Sequence, residues 1–243
     1  TLNNSDIVFG TAQRHGGAFR AEGADTTVII NNSRIQNNAS ANHGGAIVAS
    51  GTLTIKDSDF GTFAANTHNQ TLGSGNNNFV GGAIYQHGYG SNVTINNTDI
   101  NDQRAYGRGG AIYVANGKFP AADSDFRNNQ VLSSSREGGA LWFGSSAVAE
   151  IRNSEISGNS ATRDGGGISI GDSGSWNGMT LTLDNVKLNN NTAQLRGGGL
   201  WASDTQTEIT IRNSEINHNE NVDGVNTNRE SGGGLYITHS KVI

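Results

Sequence analysis

Acidic residues recur along the chain at a position just before a regularly spaced apolar residue. Stacked carboxylates of this kind can bind Ca²⁺ or form the acid pair that cleaves a polysaccharide. Where this charged column carries Lys187, the residue three positions earlier is Asp184, and where it carries glutamate that residue is arginine. The sign change favours charge balancing on a solvated surface, but Asp59, Asp99 and Asp125 lack a clear partner and stay candidates. The charged column reads Asp6, Arg34, Asp59, Asp99, Asp125, Glu155, Lys187 and Glu215.

Tyrosine and tryptophan recur inside short apolar segments, as Tyr113 does between Ile112 and Val114. Because side chains alternate along a strand, the flanking residues take the core side and the aromatic residue points outward. We expect these aromatics to form an exposed stripe that binds a sugar ring or a protein partner. The alternative is that they stack from rung to rung and only stabilise the sheet. The proposed binding residues are Tyr85, Tyr113, Trp142, Trp201 and Tyr236, in an aromatic column that reads Arg20, Val48, Tyr85, Tyr113, Trp142, Ser169, Trp201 and Tyr236.

Glycine pairs precede these aromatic segments and could suggest a phosphate-binding loop. Such a loop needs Gly-Lys-Ser/Thr and a strand-loop-helix context, and the sequence has neither. The pairs instead recur at intervals of 27 to 37 residues, which is typical of a repeat array. They begin at positions 16, 44, 81, 109, 138, 165, 197 and 232.

Each repeat contains three short segments that could be strands. They are Gly-Gly-Ala-Ile, an alternating segment such as Val93-Thr94-Ile95, and an acidic segment that ends on an apolar residue, such as Asp125-Phe126. Three short strands in about 28 residues, with no helical stretch between them, predict one coil of a parallel β-helix. An Asn or Asp before Ser or Thr suits a left-handed turn, and the glycines suit a sharp bend or close contact with the next coil.

Composition excludes several classes of function. The net charge of −5 argues against a nucleic-acid-binding protein, and the absence of Cys excludes a disulfide scaffold and a Cys-ligated zinc site. No apolar run approaches the ~20 residues of a membrane span, so we expect no membrane insertion of this segment. The six His form no metal-binding pair, and His15 and His43 share the slot before a glycine pair, which indicates a structural column. We assign no catalytic residue, no metal and no cofactor.

The pairing of Gly-Gly-Ala-Ile/Leu with Phe/Ile-x-x-Asn, as in Phe126…Asn129 and Ile156…Asn159, resembles the repeats of polymorphic outer membrane protein-type autotransporter passengers. This sequence differs in that most of its second motifs carry Ile and its last three first motifs are Gly-Gly-Gly. The resemblance implies an all-β, right-handed parallel β-helix, here of about eight rungs with three short strands each. It also implies a surface adhesin at the bacterial cell surface or outside the cell, with a host-cell surface protein or glycan as partner.

The repeat covers residues 1–243 as one domain, which we interpret as an excerpt of a longer solenoid. Inserts are expected at 61–79, 171–179 and 219–231, and the ends could support end-to-end self-association. Two other functions stay open. One is a carbohydrate-active β-helix enzyme, such as a lyase, hydrolase or epimerase, and the other is a rigid stalk or filament segment.

Overall fold

The computed structural model describes residues 1–61, 68–72, 79–144, 146–171, 178–203, 206–222 and 232–243. Every regular element in these ranges is a β-strand, and the strands pair in parallel between consecutive repeats. The chain forms a β-solenoid of about seven turns with three strands per rung. This confirms the predicted parallel β-helix. Over the described residues, no helix is long and apolar enough to span a membrane.

Three sheets run along the solenoid. The first sheet holds the second and third predicted segments of each rung, separated by a bend. Its strands are Leu2–Asn3, Asp6–Val8, Thr27–Asn31, Arg34–Gln36, Thr52–Lys56, Asp59–Phe60, Asn92–Asn96, Asp99–Ile100, Gly117–Ala122, Asp125–Arg127, Ala147–Ser157, Thr180–Asn189, Glu208–Arg212, Glu215–Asn217 and Lys241–Val242.

The second sheet consists of two-residue strands, which follow the bend after the charged column. They are Thr11–Ala12, Ala39–Ser40, Gln70–Thr71, Arg104–Ala105, Gln130–Val131, Ser160–Ala161, Thr192–Ala193 and Glu220–Asn221. The third sheet carries the segments that follow the glycine pairs. Its strands are Phe19–Ala21, Ile47–Ala49, Ile84–Gln86, Ile112–Val114, Leu141–Phe143, Ile168–Ile170, Leu200–Ser203 and Leu235–Thr238.

The core lies inside the three sheets and is built from columns of aliphatic residues. Ile112 pairs in register with Ile84 on one side and Leu141 on the other, as the repeat predicts. All three side chains are fully buried. Because position n of one rung lies over position n of the next, each buried side chain packs on a similar one.

The bend in the first sheet is made by the predicted Asn/Asp position. Asn97 and Asn153 have φ angles of 43° and 48°, in the left-handed region that Asn tolerates best after glycine. These side chains also bond from rung to rung, since Asn185 Nδ2 donates to Asn153 Oδ1 at 3.0 Å. The other members of this column with positive φ are Asn4, Asn32, Asp57, Asp123, Asn185 and Asn213.

The two glycines of a pair have different functions, as Gly109 and Gly110 illustrate. Gly109 has a φ of 65°, which disfavours any residue with a Cβ. A Cβ on Gly110 would overlap the carbonyl oxygen of Gly139 in the next rung and lie 2.7 Å from the backbone nitrogen of Gln130. The glycine pairs therefore allow the bend and the close contact between coils that the sequence predicts.

A column of amide side chains, buried except for its last member Asn219, lies directly before the strands of the second sheet. Asn159 Oδ1 accepts the backbone N–H and Nδ2 of Asn129, and Asn159 Nδ2 donates to Asn191 Oδ1 and the carbonyl of Phe126. The Phe/Ile-x-x-Asn motif locates most of this amide ladder. Asn69 and Gln103 were missed, because an insert separates Asn69 from Phe60 and glutamine replaces asparagine in the next rung. The amide ladder consists of Asn38, Asn69, Gln103, Asn129, Asn159, Asn191 and Asn219.

The predicted inserts lie largely outside the described residues. Of 61–79, residues 62–67 and 73–78 are not described, and the same holds for 172–177 of 171–179 and 223–231 of 219–231.

Candidate functional site

The third sheet places the predicted binding residues in one column. Tyr85, Tyr113 and Trp142 pair in register on three consecutive rungs. After Ser169, the column continues through Trp201 to Tyr236. Each aromatic side chain points away from the core, because its strand neighbours alternate into it.

The rings near the amino-terminal end of the column form a continuous series of contacts. The Tyr113 and Trp142 rings are stacked with centroids 4.2 Å apart and planes 8° apart, and the Tyr85 and Tyr113 rings are tilted with centroids 5.6 Å apart. The series continues to the position before the glycine pair, since His43 lies 4.9 Å from Tyr85 in a tilted contact and 5.1 Å from His15 in a stacked one. The aromatic column thus packs against a second column, the pre-glycine column. Its described members are His15, His43, Val80, Arg108, Glu137, Asp164 and Arg196.

The prediction of an exposed stripe is wrong for the two tryptophans. Trp142 and Trp201 are only 3% and 6% exposed, whereas Tyr85, Tyr113 and Tyr236 are partly exposed. Arginines of the pre-glycine column cover much of the surface of these two tryptophan rings. The guanidinium of Arg108 lies over Trp142 at 5.3 Å, and that of Arg196 lies 5.4 Å from Trp201 and 5.2 Å from Tyr236. Strand alternation predicts direction but not burial, because long side chains from the pre-glycine column, of the preceding rung for Trp142 and of the same rung for Trp201, cover the rings.

An ion-pair ladder fixes these arginines. Arg108 Nε donates to Glu137 at 2.6 Å, and Glu137 also binds Arg163 at 3.0 Å. Arg163 contacts Asp164 at 3.3 Å, and Arg196 binds Asp164 with two bonds of 2.9 and 2.8 Å. Asp164 is fully buried and Glu137 is 4% exposed, and each of these carboxylates binds two arginines, so both buried charges are paired. This ladder was not predicted from the sequence, although the charged residues directly before several glycine pairs are a signal of it.

The charged column on the first sheet is also in register. Asp59 pairs with Asp99, and Asp99 pairs with Asp125. Charge balance runs within a strand and from rung to rung: Arg127 binds Asp125 of its own strand and Glu155 of the next rung, both at 2.7 Å. Likewise, Asp184 binds Arg152 at 3.4 Å and Arg212 at 3.0 Å, in the column three positions earlier. In the described part of the chain, no group of three His, Cys, Asp or Glu residues could hold a metal ion.

Asp59 is the most perturbed member of the charged column. Its Oδ2 accepts a bond from Gln36 Nε2 at 3.0 Å, and its Oδ1 is buried without a partner among the described residues. Burial, and next the charge of Asp99, raise the pKa of Asp59 to about 6. Because the folded chain holds this proton more tightly, the stabilisation is present below pH 3.8 and is lost as pH rises through about 6.

We therefore expect Asp59→Asn to stabilise the protein at neutral pH. The amide removes the half-buried charge and keeps an oxygen for Gln36, so a gain of about 1 kcal/mol at pH 7.5 is expected after allowance for solvent screening. The gain should vanish below about pH 4, where the native carboxyl is protonated. Urea unfolding at both pH values measures it, with the exposed Asp25→Asn as control. A destabilised variant at pH 7.5 would contradict the expectation.

Comparison with known proteins identified no matching family model, no matching curated protein and no matching solved structure.

Proposed function

We propose that this chain is a non-enzymatic segment of a cell-surface adhesin, located outside the cell, whose aromatic column contacts the partner. The observation that carries the proposal is the alignment of five Tyr and Trp residues in register on one outward side of the third sheet. An in-register column on a rigid solenoid offers a long, preformed contact surface.

The ring geometry favours a protein partner over a glycan. A sugar ring packs on an open aromatic face, but these faces already have partners within the chain. Tyr113 and Trp142 stack on each other, His87 stacks on Tyr85 at 5.0 Å, and Arg196 lies against the other two rings. Less ring surface is therefore open for a sugar, and Tyr, Trp and Arg are the residues that most often dominate protein–protein binding energy.

We expect the double variant Tyr85→Ser/Tyr113→Ser to lose at least ~30-fold in retention on host-cell surfaces, because even one hot-spot tyrosine contributes ~2 kcal/mol or more. These tyrosines are better targets than the buried tryptophans, whose replacement would leave cavities in the packing. The measurement is saturable binding of the purified chain to fixed cells, with circular dichroism to check the fold.

The matched control is Tyr89→Ser. Tyr89 is 85% exposed in a turn beyond the third sheet and lies outside the aromatic column. Equal losses in control and double variant would contradict the column as the contact surface. Retention that survives protease treatment of the cells but is lost after periodate oxidation would identify a glycan partner. No retention by the native chain would favour the stalk.

A carbohydrate-active enzyme is the second candidate, and one observation favours it. Asp59, with its pKa raised to about 6, lies one rung from Asp99. The ~4.8 Å between rungs is close to the ~5 Å that separates the two carboxyl groups of a retaining glycosidase. Release of reducing ends from a panel of polysaccharides, abolished in Asp99→Asn, would support this function against the adhesin.

A further inference from the structure

Two histidines of the pre-glycine column accept hydrogen bonds from the backbone of the following rung. The N–H of His43 donates to Nδ1 of His15 at 3.4 Å, and the N–H of Val80 donates to Nδ1 of His43 at 3.3 Å. A ring nitrogen that accepts a bond carries no proton, so both rings are neutral with the proton on Nε2. The two rings are also stacked, with centroids 5.1 Å apart and planes 10° apart.

We propose that His15 and His43 form an acid-sensitive lock, which holds the amino-terminal end of the aromatic column at neutral pH and opens when the rings are protonated. Protonation would add a hydrogen to Nδ1. This N–H would then face the backbone N–H whose hydrogen bond Nδ1 now accepts. It would also place positive charges on two rings in contact. Each protonated ring therefore loses its bond and gains a repulsive neighbour.

Among the described residues, the surroundings of the lock offer no free counter-charge. His43 faces His15, Tyr85 and Phe79, and through Tyr85 it is near His87. The charged groups around His15 are Arg14, Arg20, Glu22 and His87. Glu22 is the only carboxylate among them, and it already binds Arg20 and His87.

The pKa values of both histidines are lowered, as this geometry predicts. Burial, and next the charge of His15, lower the pKa of His43 from 6.5 to about 4, and burial also lowers the pKa of His15. Because the unfolded chain binds these protons more readily, the stabilisation is full above pH 6.5 and is lost as pH falls toward 4. For His43 alone, this corresponds to an increase on the order of 100-fold in the unfolding constant across that window.

Opening of the lock would alter the aromatic column. The His43 ring packs on Tyr85, and Tyr85 packs on Tyr113, so release of His43 uncovers one side of Tyr85. If the proposed adhesin function holds, a partner bound at neutral pH would meet a changed surface in an acidic compartment. The lock itself belongs to the folded chain, and its test needs no partner.

The test compares the native chain with His43→Asn between pH 7.5 and 3.0, a range that includes the pKa of about 4 of His43. The asparagine oxygen can accept the N–H of Val80 but does not titrate in this range. We expect the amide resonance of Val80 and the ring resonances of Tyr85 to shift together with the imidazole titration of His43 in the native chain. We expect the urea midpoint to fall less steeply with acid in the variant than in the native chain.

The carboxylates are the same in both proteins, so their contributions cancel in the difference. The control is His218→Asn, at an exposed position with a φ of 52° that asparagine tolerates. It should keep the steep acid dependence of the native chain. Equal acid dependence of His43→Asn and the native chain, or a Val80 amide that does not respond to the titration of His43, would overturn the lock.

Discussion

Gly110→Ala is expected to destabilise the solenoid by more than ~3 kcal/mol, because a new Cβ would overlap the backbone of the next rung. The overlapped atom is the carbonyl oxygen of Gly139, and the backbone nitrogen of Gln130 lies only 2.7 Å from the Cβ position. Backbone atoms on both sides are held in parallel ladders, so relief requires adjacent coils to separate. Urea unfolding followed by circular dichroism measures the loss.

The control distinguishes the effect of overlap with the next rung from the general effect of adding a Cβ to a glycine. Gly234 occupies the third glycine position of its rung, where the first five rungs carry alanine, and a Cβ there would lie 3.5 Å from Cγ2 of Ile216. We expect Gly234→Ala to change stability by less than ~1 kcal/mol, since the contact is an ordinary one. Similar stability for the two variants would show that coils separate at little cost and would contradict the close packing of the second glycine.

Asn159→Ala is expected to destabilise the protein by about 4 kcal/mol, since a buried group left without its hydrogen bond costs ~1–3 kcal/mol. The side chain makes four bonds at 2.8 to 3.0 Å: two accepted from Asn129, one donated to Asn191 and one donated to Phe126. Its removal takes these bonds from Asn129 and from the carbonyl of Phe126 in the preceding rung, whereas Oδ1 of Asn191 keeps the backbone N–H of Asn159. Calorimetry and urea unfolding give the magnitude.

Asn217→Ala is the matched control, because Asn217 is exposed and its side chain is not part of the amide ladder. It should change stability by less than ~0.5 kcal/mol. Asn159→Gln provides a second comparison, since Gln103 already occupies one rung of the ladder. A loss as small as that of the control would mean that the amide ladder contributes little to stability.

The amino-acid sequence predicted most of the architecture from local signals. Alternation of apolar residues locates the strands, and the phase of the glycine pairs predicts that Ile84, Ile112 and Leu141 stack. The left-handed bend at Asn97 and the close approach at Gly110 follow from the conformational range of one residue type. Periodic local rules suffice here because each rung repeats the environment of the one before it.

The two-residue strands of the second sheet and two members of the amide ladder had no such signal. A pair such as Gln70–Thr71 is too short to show alternation, and pairing with neighbouring rungs alone makes it a strand. Asn69 follows an insert, so its distance from Phe60 departs from the repeat, and the ladder identifies it only through its bonds to Asn38 and Gln103.

For the candidate site, the sequence by itself determined the repeat, the strand positions and the single outward column that contains Tyr113 and Trp142, because these depend on local alternation and phase. Only the tertiary structure decided that Trp142 is buried, since the covering Arg108 lies in the preceding rung and is fixed by Glu137. Exposure and ion pairing depend on where long side chains from other rungs extend, and local alternation contains no information about that.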